Sequence, residues 1–265
     1  MPVDGLAFDR AGRDGGPALL LIHPMGADRH FWAGCVAHWA ADWPCISVDL
    51  RGCGASPAAT APATPEDHAA DLEDLRRALG LSAWVPVGCA VGAMVATAYA
   101  GRHPSRCAGL VLTNPGMRTR PEARAMLAGR AAAVRAGGMA AIADAAISAA
   151  FAGCPDTEAR ERFRTQFLAQ DPAAYALQIE GMLSADMSQH LRAITCPTLV
   201  VAGGADRLLP PDHASQIAAG LPDCTHVEIP GGAHFLPYQQ PDRIAGIVAD
   251  FLHSRLGWAD AAAAP

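Results

Sequence analysis

No apolar run in this sequence reaches the ~20 residues that a membrane-crossing helix needs. The Ala-rich stretch from Ala140 to Ala150 is too short and carries Asp144, so no membrane partner is expected. There is no Cys-x-x-Cys pair and no zinc-ligand spacing. The eight cysteines are scattered, as small buried hydrophobes in a reducing compartment are. Neither a metal nor another cofactor is expected. Lysine and arginine form no cluster and the net charge is -6, which argues against nucleic acid as a partner. The first five residues hold neither a basic segment nor an apolar one, so no signal peptide is expected and the protein is read as soluble and cytoplasmic.

What the chain does have is length enough for one α/β domain with an insertion, and 51% hydrophobic residues to fill its core. Short apolar runs alternate with helical patterns, the signature of a parallel sheet with crossover helices. Strands are expected at Ala18 to His23, Cys45 to Leu50, Ala83 to Val87, Cys107 to Thr113, Pro197 to Ala202 and Thr225 to Ile229. Helices are expected at His30 to Ala41 and after Thr64-Pro65-Glu66-Asp67, where Thr is an N-cap, Pro occupies the first turn and acids follow. From about Asn114 to Ile194 the strand rhythm stops. Breaks at Gly137-Gly138, Gly153-Cys154-Pro155 and Asp171-Pro172 divide this segment into several helices. The last helix carries Ile244, Ile247, Val248, Phe251 and Leu252 at helical spacing, and the tail from Ala259 to Pro265 is expected to fray.

Three segments can carry chemistry. Gly88-Cys89-Ala90-Val91-Gly92 follows a strand and opens a helix. That is the frame of a Gly-x-Ser-x-Gly elbow, where glycines flank the central residue because the turn has no room for side chains. Its centre is Ala90, and a methyl group attacks nothing. Taken alone, the segment also fits an ordinary strand-to-helix turn. Asp206 lies just past the strand ending near Ala202, where ligand and catalytic groups of parallel sheets collect; it could equally cap the next helix. His234, in Gly231-Gly232-Ala233-His234, follows the last strand. The other nine histidines are read as structural or surface residues, with His23 shaping its loop.

The order elbow, acid, histidine, each after its own strand, is that of the α/β-hydrolase triad. Together with Asp49-Leu50-Arg51-Gly52-Cys53-Gly54-Ala55-Ser56, it makes residues 18 to 257 resemble the α/β-hydrolase superfamily. The insertion is similar to the cap of 3-oxoadipate enol-lactonases in three stretches, 133–139, 171–175 and 191–198. The resemblance implies an α/β-hydrolase fold, with a mostly parallel, doubly wound sheet. The core would be 1–114 and 195–265, and the helical cap 115–194. It implies hydrolysis of a small ester or lactone, with His234 as base, Asp206 orienting it, Ala90 at the nucleophile's position, and the amides of Met25 and Val91 as the oxyanion hole. Cys89 is one residue out of place, and Ser56 lies on another loop.

Three readings follow: a serine hydrolase whose nucleophile has been replaced by Ala90, a His–Asp acid/base enzyme without covalent catalysis, or a non-catalytic binder of small molecules on the same scaffold. A carbon–carbon bond hydrolase and a general carboxylesterase compete with the lactonase as the activity. Trp32, Phe151, Met182 and Phe235 are candidates for an apolar pocket. Arg118, Arg120, Arg130 and Arg135 are candidate carboxylate anchors, and each also fits a solvated helix face.

Overall fold

The computed structural model describes residues 5–13, 17–154 and 157–258; the tail from Ala259 lies outside them. Among the described residues seven strands make one sheet: β1 (Phe8–Ala11), β2 (Ala18–Ile22), β3 (Cys45–Val48), β4 (Trp84–Cys89), β5 (Leu110–Thr113), β6 (Thr198–Gly203) and β7 (Cys224–Ile229). Their order is β1-β3-β2-β4-β5-β6-β7. All neighbours are parallel except β1, which runs antiparallel to β3. The four residues of β1 include Asp9 and Arg10, too short and polar a run to read as a strand. Strands β2 to β6 are buried at every position, as expected of a parallel sheet covered on both faces.

Alternate strand residues divide the core. Leu20, Ile22, Leu112 and Val200 pack with α2 (Pro65–Ala78) and α3 (Val91–Arg102), while Leu19, Leu21, Val111 and Val201 face α1 (Ala33–Trp39), α10 (Leu236–Gln239) and α11 (Pro241–Leu256). The helix expected from His30 starts as a 3-10 turn, Arg29–Trp32, because Asp28 accepts the His30 amide at 2.9 Å and tightens the entry. Helix α2 begins as its residues require: Thr64 and Asp67 form a reciprocal capping box, with Pro65 in the first turn.

Between β5 and β6 the described residues form five helices, α4 (Pro121–Gly137), α5 (Ala140–Ala150), α6 (Thr157–Leu168), α7 (Pro172–Met182) and α8 (Ser188–Leu191). The breaks after α4, after α5 and before α7 fall where expected, Pro155 lying outside the described residues, whereas the break at 183–187, between α7 and α8, was not expected. Gly138 ends α4 at φ 70°, a conformation that side chains disfavour, and Asp171 caps α7 by accepting the Ala174 amide at 2.7 Å. Among the described residues no helix is long and apolar enough to cross a membrane.

One buried ion network ties α2 to α3. Glu73 accepts from Arg76 at 2.7 and 2.8 Å, from Arg77 at 2.9 Å and from the Tyr99 hydroxyl at 2.9 Å. The Arg76 hydrogen bonds, set against burial and helped by Tyr99, pull its carboxyl from 4.5 to about 2. A depressed carboxylate stabilises the fold above its unfolded pKa and loses that contribution as pH falls through the folded one, here from 4.5 toward 2. The shift corresponds to about 3 kcal/mol at neutral pH. Glu73→Gln is therefore expected to cost about 3 kcal/mol in urea unfolding at pH 7, with the gap to the unchanged chain narrowing toward pH 3. A gap independent of pH would contradict this.

Candidate active site

The β4–α3 turn holds Ala90 at φ 51°, ψ −110°, a region that costs a residue with a Cβ about 1–3 kcal/mol. Local bonds hold it there. The Ala90 amide donates to the Thr113 carbonyl at 3.1 Å, and its own carbonyl accepts from Ala93 and Met94. Both flanking glycines are required. A Cβ on Gly88 would overlap the Gly92 carbonyl and approach the Ala93 nitrogen to 2.6 Å. One on Gly92 would overlap the Ile22 carbonyl and meet the His23 oxygen at 2.7 Å. The turn presents the Ala90 methyl to a cavity of about 210 Å³, whose wall also includes Met25, Val91 and His234.

Asp206, in the β6 loop, has a fully buried side chain. Its Oδ2 meets His234 Nδ1 at 2.8 Å and accepts from Asn114 Nδ2 at 2.9 Å; Oδ1 accepts the Leu208 and Leu209 amides at 2.8 and 3.0 Å. Burial pushes the carboxyl up, but the His234 charge and hydrogen bond, the Leu209 amide and Asn114 outweigh it and hold it below the usual carboxylate range. Asp206 does not cap α9 (Pro211–Gly220), whose N-cap is Pro210. An ionised Asp206 accepts the Nδ1 proton, so neutral His234 carries its lone pair on Nε2.

Among the described residues the Met25 and Val91 amides have no hydrogen-bond partner. His23 behaves as a loop former: fully buried, it accepts the Leu50 amide at Nε2 (3.1 Å) and donates from Nδ1 to the Pro24 carbonyl (2.8 Å). Asp49 anchors the same region, accepting the Arg29 and Ala55 amides at 2.7 and 2.8 Å. Neither spare nucleophile reaches the cavity wall. Cys89 is fully buried, with its thiol pushed up by burial, and the Ser56 hydroxyl donates to the Asp49 carbonyl at 2.6 Å.

The pocket candidates separate. Phe235, Met182 and Arg118 lie on the cavity wall. Trp32 does not, which corrects its expected role: the 3-10 turn rotates its indole into the core, edge-on to Phe31 and 6.3 Å from Trp39. Phe151 likewise packs behind the wall against Phe163 and Phe235. Arg120 reaches the wall but pairs with Asp212, Arg130 lies on the wall beside the Tyr175 hydroxyl, and Arg135 pairs with Glu180 away from it. Phe163, Phe167 and Tyr175, which the sequence reading passed over, supply an aromatic wall from α6 and α7. Nothing in their spacing distinguishes them from core residues.

Asn114 was also missed as a site residue. It sits past β5 at φ 46°, its amide donating to the Val201 carbonyl at 2.7 Å and its side chain bridging Asp206 and the Ala233 carbonyl. Its one legible signal is an asparagine, a residue that tolerates positive φ, at the end of a parallel strand.

A family model described as the alpha/beta hydrolase fold matches residues 17–151. An esterase structure from Thermogutta terrifontis is 32% identical, covering 93% of this chain and 92% of its own, with a TM-score of 0.86. The enol-lactonase of Burkholderia xenovorans LB400 is 27% identical, covering 93% and 96%, also at 0.86. RutD of Klebsiella pneumoniae (strain 342), named as a carbamate hydrolase, is 27% identical over 253 residues, 91% of this chain and 93% of its own. The fold, the strained turn and these likenesses agree: this chain belongs to the α/β hydrolase family.

Proposed function

We propose that the chain carries the site of a hydrolase for a small ester or lactone, with Ala90 standing where the attacking serine belongs. The observation that carries this reading is the backbone at residue 90. It is strained, walled in by two glycines that admit no Cβ, and it opens onto the same cavity as His234. An ordinary strand-to-helix turn has no use for that strain.

The roles follow from the chemistry. A substrate carbonyl resting on Ala90 has the Met25 and Val91 amides available for its oxygen, and these would stabilise the charge of a tetrahedral intermediate. His234 Nε2 is the base, and Asp206 fixes the tautomer and stabilises the imidazolium. Helices within 115–194 act as a cap that excludes water from the substrate. Without an oxygen at residue 90 the covalent step is lost, and the chain as it stands binds and polarises its substrate without acylation. The complete His234–Asp206 pair and the unpaired amides also favour a second reading, in which His234 activates water directly or moves a proton on the substrate.

Ala90→Ser, assayed with p-nitrophenyl butyrate, separates them. A large gain supports a replaced nucleophile. Loss of an existing activity without esterase gain supports the acid/base enzyme, and binding without turnover by either form supports a small-molecule binder.

Asn114 is a positioning residue in this scheme. In the Ala90→Ser form, Asn114→Gly, which keeps the positive φ comfortable, is expected to lower kcat about tenfold with little change in KM, and to lower Tm by a few degrees because the buried Ala233 carbonyl loses its donor. Removing a donor leaves more of the Asp206 carboxylate's charge for the imidazolium it faces, so the acid limb of the pH–rate profile, which follows protonation of the base, should move upward. An unmoved limb would leave Asn114 a purely structural role.

A further inference from the structure

His213, on α9, is a buried titratable group of the cavity wall for which the mechanism above has no use. It is 3% exposed and stands in that wall beside Leu208, Leu209 and Pro210. Its Nδ1 accepts the Met117 amide at 3.0 Å. A nitrogen that accepts from a backbone N–H carries no proton, so the neutral ring must hold its proton on Nε2. Burial, aided by the charge of Arg120, holds its pKa below the usual histidine value, against the opposing pull of Asp212 and Asp206; Arg118 adds to the lowering. Among the described residues Nε2 has no hydrogen-bond partner, and it is not among the sealed, unpartnered polar atoms of the core. His213 stands in the cavity wall, and Nε2 is its one ring nitrogen without a partner there.

We propose that His213 is a specificity-determining residue: its Nε2–H donates to a second oxygen acceptor of the substrate, several bonds from the scissile carbonyl. The site would then select an oxo-substituted ester or lactone over a plain alkyl ester of equal length. This rests on the proposed hydrolase site for the meaning of "substrate", but the donor exists whether or not residue 90 can attack. Burial makes such a donor discriminating, because a ligand without the acceptor strips it of water and returns nothing.

The chain as it exists, with Ala90, allows binding to be measured apart from turnover. Calorimetric titration would compare ethyl hexanoate with ethyl 4-oxohexanoate and ethyl 5-oxohexanoate. At least one oxo ester is expected to bind about tenfold more tightly than the alkyl ester. Two substitutions then pull in opposite directions. His213→Gln places an amide N–H where Nε2 stood and should keep part of the preference. His213→Asn keeps an acceptor for Met117, withdraws the donor and should abolish the preference. A preference that survives His213→Asn, or equal binding of all three esters to the unchanged chain, overturns the inference. If the preference is found while Ala90→Ser turns over none of them, the donor role stands and the hydrolase reading falls.

Discussion

Ala90→Ser is expected to raise hydrolysis of p-nitrophenyl butyrate by about 10⁴–10⁶-fold over the chain as it stands. Removing the serine from a serine protease costs about 10⁶ in kcat and leaves only what the oxyanion hole and binding supply. The reverse change starts from a prepared site. The backbone is already in the elbow conformation at φ 51°, so the substitution adds one oxygen to a Cβ whose position does not change. His234 Nδ1 is engaged with Asp206 at 2.8 Å, which leaves Nε2 to take the new hydroxyl's proton. Stability should hardly move, since the strain at residue 90 is present in both forms. Adding His234→Ala to the same chain should remove nearly all of the gain. A gain below tenfold, with Tm unchanged, would sink the replaced-nucleophile reading.

The second large effect concerns stability. Gly92→Ala is expected to destabilise the protein by about 3–5 kcal/mol, lowering Tm by on the order of 10 °C. The added methyl would press into the Ile22 carbonyl and come within 2.7 Å of the His23 oxygen. Neither backbone can withdraw easily, because β2 is held between β3 and β4 in register, with Ile22 opposite both Val48 and Gly88. Relief would have to come from lifting the first turn of α3, which would also carry Ala90 and the Val91 amide out of place. Gly246→Ala is the control. That glycine lies on the exposed side of α11 with nothing within 4 Å of a new Cβ, and the change is expected to stabilise by about 0.5–1 kcal/mol. Equal Tm values for the two variants would contradict the close approach of α3 to β2.

Much of this site could be read before any coordinates. The glycines at 88 and 92, and the positions of Asp206 and His234 just beyond strands, are local patterns, and the structure brings Ala90, Asp206 and His234 together. The four arginines show where such reading stops. All look alike in sequence, yet Arg118, Arg120 and Arg130 reach the cavity wall and Arg135 does not, and Arg120 and Arg135 are each paired with a carboxylate. What separates them is which carboxylate a distant helix delivers, Asp212 from α9 or Glu180 from α7. Trp32 failed for a related reason: a 3-10 turn in place of helix changes the direction of a side chain by more than periodicity can foresee. His213 fell among the nine histidines read as structural or surface residues, and only the Met117 amide on its Nδ1 sets it apart.

Residue order alone determined the alternation of strand and helix, the helix caps, and a turn at 88–92 that only glycine-flanked backbone can make. Each is governed by steric and hydrogen-bonding rules acting over a few residues. Tertiary structure decided which loops meet. Parallel strands deliver their C-terminal ends to one edge, and the order β2-β4-β5-β6-β7 assembles Met25, Ala90, Asn114, Asp206 and His234 from loops far apart in the chain. Partner choice also lives at that level, because a charge or a ring nitrogen answers to whatever packing places beside it.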